Sequence, residues 1–120
     1  MSAGRILVLE DEWLIADYLV DVLISEGYEV VGPASCVVEA LSLIKQAGID
    51  AAILDVSLRG ERSFPVAAEL RRIAIPFAFM TGYLETDLPV EFHSEPVLTK
   101  PTRPAALISC LDAMLGVRSE

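Results

Sequence analysis

The stretch AAILDV, Ala51 to Val56, runs four apolar residues directly into an aspartate. A strand that is apolar on both faces is typical of the centre of a parallel sheet, because helices cover both faces of such sheets. Asp55 lies at the end of this strand, where burying a carboxylate is costly unless the group has a use. The stretch therefore predicts the middle of the sheet and a residue with a chemical role.

Short apolar runs alternate with amphipathic segments on both sides of this strand, which is the pattern of βαβ units. The other predicted strands are RILVL (5–9), YEVV (28–31), PFAFM (76–80) and PVLT (96–99). Helices are predicted at 13–26, from a cap at Ser35 to Gly48, from Ser63 and Pro65 through Arg72, and from Thr102 and Pro104 to Gly116. Right-handed crossovers with the most apolar strands central allow few topologies. We predict an α/β, flavodoxin-like doubly wound sheet of five parallel strands in the order 2-1-3-4-5.

The connection from Thr81 to Glu95 departs from the pattern. Pro89 lies in its middle, and its apolar residues lack steady helical spacing. Since proline interrupts a helix interior, we predict a shortened or disordered fourth helix here.

Length and composition limit the function classes. The 120 residues predict one domain, 1–120, and the net charge of −9 argues against direct nucleic-acid binding, which needs a basic surface. Lacking an apolar run of membrane-spanning length and a signal peptide, the chain is expected to be cytoplasmic. Cys36 and Cys110 have no metal-ligand spacing, and the single histidine, His93, leaves little for a histidine-centred site.

Polar residues follow the predicted strands and should meet in one crevice, because the carboxyl ends of parallel strands share one edge of the sheet. They are Glu10, Asp11, Asp55, Thr81 and Lys100. Two carboxylates in a partly buried site repel by roughly 4 kcal/mol, so three of them require a counter-charge. Mg²⁺ and the Lys100 ammonium would supply it. In that setting Asp55 can act as a phosphoryl acceptor, with Thr81 as a hydroxyl donor.

The stretches LVLEDE, ILDVSLRGE, FMTGY and LTKP resemble, in order, the four signatures of the response-regulator receiver domain of two-component signalling. The resemblance implies a phosphoacceptor that catalyses only its own phosphorylation and dephosphorylation, with a histidine kinase or histidine phosphotransfer protein as its partner. It also implies the roles of the site residues: Asp55 as phosphoacceptor, Glu10, Asp11, Asp55 and the Ser57 carbonyl as Mg²⁺ ligands, and Thr81, Gly82 and Lys100 as switch and phosphate-binding residues.

The stretch PFAFMTGY, with SLRGE, resembles more narrowly the FAT GUY subfamily, which is associated with kinases of the HWE or HisKA2 type. Met80 departs from the alanine in the subfamily's name. Val97 stands where most receivers carry a switch tyrosine or phenylalanine. We therefore expect the response to pass through an ordering of the segment after Thr81, with Tyr83 as a modulator that shields the site.

Other functions remain open at this point. A stand-alone regulator is the simplest interpretation, since the chain starts at Met1 and ends four residues after Gly116. The domain could instead have been excised from a hybrid kinase or a larger regulator. A phosphohydrolase of the haloacid dehalogenase type also uses an aspartate nucleophile, but it needs a second acid where Ser57 stands. The intact acids speak against a third hypothesis, an unphosphorylated docking module.

Overall fold

A computed structural model describes residues 3–82 and 88–116. Its strands are β1 (Arg5–Leu9), β2 (Glu29–Ala34), β3 (Ala51–Asp55), β4 (Ser57–Leu58), β5 (Glu61–Arg62), β6 (Phe77–Thr81) and β7 (Val97–Thr99). Five of them form one parallel sheet in the order β2-β1-β3-β6-β7. Because β6 and β7 are the predicted fourth and fifth strands, the flavodoxin-like order is confirmed.

Within the described residues, four α-helices cover the two faces of the sheet: α1 (Trp13–Ser25), α2 (Val37–Gln46), α3 (Phe64–Arg72) and α4 (Pro104–Leu115). Side chains of a strand alternate between faces. In β1, Leu7 and Leu9 accordingly pack in a core with α2 and α3, whereas Ile6 and Val8 pack in a second core with α1 and α4. All five residues of β3 are buried, which confirms its central position. None of these helices has the length and apolarity needed to cross a membrane.

The predicted cap at Ser35 and the predicted helix start at Thr102 are wrong. The backbone stays extended through Cys36 (φ −150°, ψ 165°), so Cys36 rather than Ser35 is the N-cap of α2, and Ser35 donates its N–H and hydroxyl to Glu39. Arg103 rather than Thr102 precedes α4, and the Thr102 hydroxyl donates to the Thr99 carbonyl. Strand β2 also continues to Ala34, three residues beyond its predicted end.

The loop predicted after β3 contains a small hairpin. Strands β4 and β5 pair antiparallel, with Ser57 opposite Arg62 and Leu58 opposite Glu61. Gly60 lies in the connecting turn at φ 81°, a left-handed conformation that glycine adopts without steric cost. The chain that follows the central strand is therefore folded back on itself beside the site.

The described part of the connection between β6 and β7 contains a single 3-10 turn, Val90–Phe92. Phe92 is buried and packs against Phe64, Phe77 and Phe79, with ring centroids 5.5 to 6.2 Å away. These contacts hold the second half of the connection against α3. Tyr83 lies outside the described residues, so its modulating role stays a prediction.

Arg71 of α3 reinforces this attachment. Its guanidinium lies 5.0 Å from the centre of the Phe92 ring, donates to the Glu91 carbonyl and forms an ion pair with Glu95. A cation over an aromatic face is attracted by the negative face of the ring. The segment is thus fixed by both apolar and charged contacts.

Candidate functional site

The carboxyl ends of β1 and β3 bring three acids together. Leu9 and Leu54 are paired in the sheet, so the residues that follow them, Glu10 and Asp55, are neighbours. Together with Asp11, each offers a carboxylate oxygen within 4.8 Å of the others. Glu10 and Asp55 are only 2% and 4% exposed, so water screens their charges poorly. The predicted acidic crevice is therefore present.

Lys100 lies between two of these acids. Its Nζ is 2.9 Å from Asp55 Oδ2 and 3.0 Å from Glu10 Oε1. Its backbone N–H donates to the Thr81 carbonyl, which fixes the residue at the end of β7. Burial acts to lower the pKa of Lys100, but hydrogen bonds to Asp55 and Glu10 and their charges outweigh it, and the pKa is raised. The ammonium group therefore stays charged.

The pKa of Glu10 is raised in the crevice, mainly because the side chain is buried. Burial, with the nearby charge of Asp55, raises its pKa to about 7, although the Glu12 N–H and Lys100 act in the opposite direction. A hard divalent cation prefers clustered carboxylate oxygens. The three carboxylates of Glu10, Asp11 and Asp55 therefore fit Mg²⁺ in both donor type and charge.

The remaining predicted residues lie around this cluster. Thr81 ends β6 and is 4% exposed, and its strand neighbour Met80 is paired with Asp55. Gly82 follows Thr81, and Ser57 opens β4 two residues after Asp55. Val97 begins β7 at 45% exposure, paired with Phe79 and thus at the opposite end of the short strand from Lys100. Thr81 therefore shares the edge of the crevice, whereas Val97 lies away from it.

Two contacts of the hairpin were not foreseen. The Arg59 N–H donates to Asp11 Oδ2 at 2.9 Å, and Glu61 Oε2 accepts the Val37 N–H at 2.9 Å. The partners are 48 and 24 residues apart in the chain, so no local sequence pattern predicts these hydrogen bonds. In the sequence, the stretch SLRGE marks this loop but does not indicate either contact.

An apolar groove of about 710 Å³ adjoins the crevice. Its walls come from α1 and from the chain around Lys100, and they include Leu14, Tyr18, Met80, Pro101 and Pro104. The Tyr18 hydroxyl donates to the Thr102 carbonyl at 2.8 Å and joins the two walls. Leu14 in the wall of the groove is 67% exposed, and the residue before it in α1, Trp13, is 74% exposed. An accessible apolar surface therefore lies next to the acids.

Sequence comparison finds relatives of this chain among transcriptional regulatory proteins. The chain is 30% identical to an uncharacterized transcriptional regulatory protein, YbdJ of Bacillus subtilis, over 96% of its own length and 52% of YbdJ. It spans about half the length of the curated relatives it matches.

Two solved structures are similar to nearly all of this chain. The solution structure of SdrG from Sphingomonas melonis Fr1 has 44% identity and a TM-score of 0.85, covering 96% of this chain and 99% of SdrG. The crystal structure of the response regulator PhyR from Brucella abortus has 30% identity and a TM-score of 0.82, covering 95% of this chain and 48% of PhyR.

One family accounts for the sequence, the fold and the crevice together. Residues 6–112 match the family described as the response regulator receiver domain. The match includes all three acids, Thr81 and Lys100. The protein therefore belongs to the response regulator receiver domain family.

Proposed function

We propose that the protein accepts a phosphoryl group on Asp55 from the phosphohistidine of a histidine kinase or a histidine phosphotransfer protein. An Asp55 carboxylate oxygen attacks phosphorus, the bond from phosphorus to the histidine nitrogen breaks, and the donor histidine leaves. The observation that carries the proposal is the contact of Lys100 with both Asp55 and Glu10 at the end of the central strand. An ammonium so placed can balance charge on the phosphoryl oxygens.

Four protein groups would hold Mg²⁺: the carboxylates of Glu10, Asp11 and Asp55, and the backbone carbonyl of Ser57. When bound, the metal supplies positive charge to the phosphoryl oxygens during the transfer. The Thr81 hydroxyl and the Gly82 N–H are donors at the same edge of the sheet, and we assign them to the phosphoryl group after transfer. Lys100 would then exchange part of its contact with the acids for the new anion.

Chemical phosphorylation tests the acceptor. Incubation with acetyl phosphate and Mg²⁺ should give a single labile adduct by intact-mass spectrometry, and Asp55→Asn should abolish it. Rapid turnover of unrelated phosphate esters would favour the dehalogenase-type hydrolase instead. An unmodified wild-type chain would favour the docking module.

Charge-removing variants test the metal site. Glu10→Gln and Asp11→Asn should each abolish Mg²⁺-dependent phosphorylation and leave the fold intact. Because Glu10 is buried beside another acid, its replacement should also raise the free energy of unfolding of the metal-free protein by about 1 kcal/mol. A marked loss of stability in either variant would instead make the acids structural.

The subfamily of the receiver and its domain organisation are also proposals. We place the chain in the FAT GUY subfamily as a stand-alone regulator, supported by its PFAFMTGY stretch and by the match to SdrG along nearly all of both chains. A kinase of the HWE or HisKA2 type is then the expected donor. Phosphotransfer profiling against a panel of kinases would test this, and transfer only from kinases of other types would contradict it.

The apolar groove beside the crevice supports a docking protein partner. Leu14→Asp should slow phosphotransfer from the cognate kinase about tenfold or more and leave acetyl phosphate labelling unchanged. Val38→Asp, on α2 at 77% exposure, is the matched control and should change neither rate. Equal effects of both variants would remove the groove from kinase docking.

The response should pass through the connection after β6 and not through residue 97, because Val97 has no aromatic ring. On addition of Mg²⁺ and beryllofluoride, we expect the amide NMR signals of Thr81 and Gly82 to shift. Phe92 and Arg71 hold the second half of the connection, so its signals should stay sharp in both states. Unshifted signals at Thr81 and Gly82 would contradict this route.

A further inference from the structure

The hairpin of β4 and β5 joins the acidic crevice to helix α2. At its turn, the Arg59 N–H donates to Asp11 Oδ2 at 2.9 Å. On its second strand, Glu61 Oε2 accepts the Val37 N–H at 2.9 Å. The two contacts lie on either side of Gly60, so a single short turn carries both of them.

The contact with α2 supplies an acceptor for a backbone N–H at the start of that helix. Val37 is the first residue of α2, and the first N–H groups of a helix have no acceptor within the helix. Within the described chain, the N-cap Cys36 supplies no side-chain hydrogen bond. Glu61 places a carboxylate there, which the positive end of the helix dipole favours. The hairpin is therefore attached to a fixed element of the core.

The contact with the crevice concerns the orientation of Asp11. One oxygen of this carboxylate accepts the Arg59 N–H and also lies 3.9 Å from Nε of the Arg59 side chain, which is 87% exposed. The strands of the hairpin are held by Leu58, which is buried in the core, by Arg62 over the Phe64 ring, and by the Ser63 N–H bonded to the Val56 carbonyl. The turn itself, at Arg59 and Gly60, is exposed, and the attachment at Glu61 adds a fixed point on the side of the turn away from Asp11.

We propose that Glu61 is a positioning residue for the metal and phosphoryl site: it anchors the hairpin to α2 and so keeps the Arg59 N–H on Asp11. This inference rests on the proposed function for its effect on Mg²⁺. Its structural half, the placement of the turn, is independent of that function. Groups that orient metal ligands typically change metal affinity about 10- to 100-fold when removed.

The test compares Glu61→Ala, Glu61→Gln and Glu39→Ala. Glu61→Gln keeps an acceptor oxygen for the Val37 N–H. Glu39→Ala is the matched control, because Glu39 holds Ser35 at the same end of α2 without contacting the hairpin. Amide hydrogen exchange of Arg59 in metal-free protein and Mg²⁺ affinity by calorimetry are the two measurements.

For Glu61→Ala, we expect exchange at Arg59 to rise about tenfold and Mg²⁺ affinity to fall about tenfold. Glu61→Gln should restore most of both, and Glu39→Ala should leave both at the wild-type values. Wild-type exchange at Arg59 in Glu61→Ala would overturn the proposal, as would equal losses in Glu39→Ala. If wild-type protein itself bound no Mg²⁺, the proposed function would fail, while Arg59 exchange would still decide the hairpin's anchoring.

Discussion

At the scale of single residues, the crevice contains three carboxylates and one ammonium group, that of Lys100. Glu10, Asp11, Asp55 and Lys100 could be predicted because each lies at or just beyond the end of a strand, and parallel strands bring their carboxyl ends to one edge. The sequence carries no comparable rule for Arg59 and Glu61. Their contacts depend on how a short turn folds in three dimensions, which is why they were found only in the structure.

Replacing Lys100 by Met tests the charge balance. Removing the ammonium leaves Asp55 and Glu10 buried without their nearest cation, so the metal-free protein should lose about 1 to 3 kcal/mol of unfolding free energy. Mg²⁺ should restore much of this loss, since it supplies the missing positive charge. Thermal unfolding in EDTA and in MgCl₂ measures both effects.

Lys45→Met is the control, because Lys45 is the other lysine and is exposed on α2. It should change stability little under either condition. The Lys100→Met protein should still accept some phosphoryl groups on Asp55 but respond to them weakly. An unaltered response would remove Lys100 from the mechanism.

At the scale of elements, the sequence predicts strands and helices well and their ends less well. The strands β1, β3 and β6 could be located from their apolar runs, because nearly all of their residues are buried in the structure. The cap at Ser35 was wrong because Ser35 pairs with Glu39 while a distant residue, Glu61, reaches the end of α2. The two-residue strands β4 and β5 are too short for any periodic pattern.

Phe92 is the element-scale test of the connection between β6 and β7. Phe92→Ala should lower the free energy of unfolding by about 3 kcal/mol, because it leaves a cavity among three other phenylalanine rings. Urea unfolding measures the change. Val90→Ala, in the same turn at 79% exposure, should cost less than about 0.5 kcal/mol. Similar losses for both variants would mean that the turn as a whole, and not the ring of Phe92, provides the attachment.

At the scale of the whole molecule, two apolar cores enclose the sheet while the net charge is −9. A compact state with excess charge of one sign is destabilised by its own repulsion, and dissolved salt screens that repulsion. The same charge favours a partner surface that is basic. Stability should therefore depend on ionic strength.

Raising NaCl from about 20 mM to about 200 mM near neutral pH should increase the free energy of unfolding by about 1 kcal/mol. Chemical unfolding at the two salt concentrations measures the change. Near pH 4.5, the isoelectric point, the same salt step should have little effect. A fall in stability with salt at neutral pH would show that specific ion pairs outweigh the general repulsion.

The placement of Trp13 gives the unmodified protein an optical reporter. It is the sole tryptophan of the chain, it stands two residues after Asp11, and it is 74% exposed. Emission excited at the red edge of protein absorbance therefore originates at a single exposed site, the first residue of α1. The proposed binding of Mg²⁺, the proposed phosphorylation of Asp55 and the proposed docking of a partner could each be followed by this emission in real time, without a label.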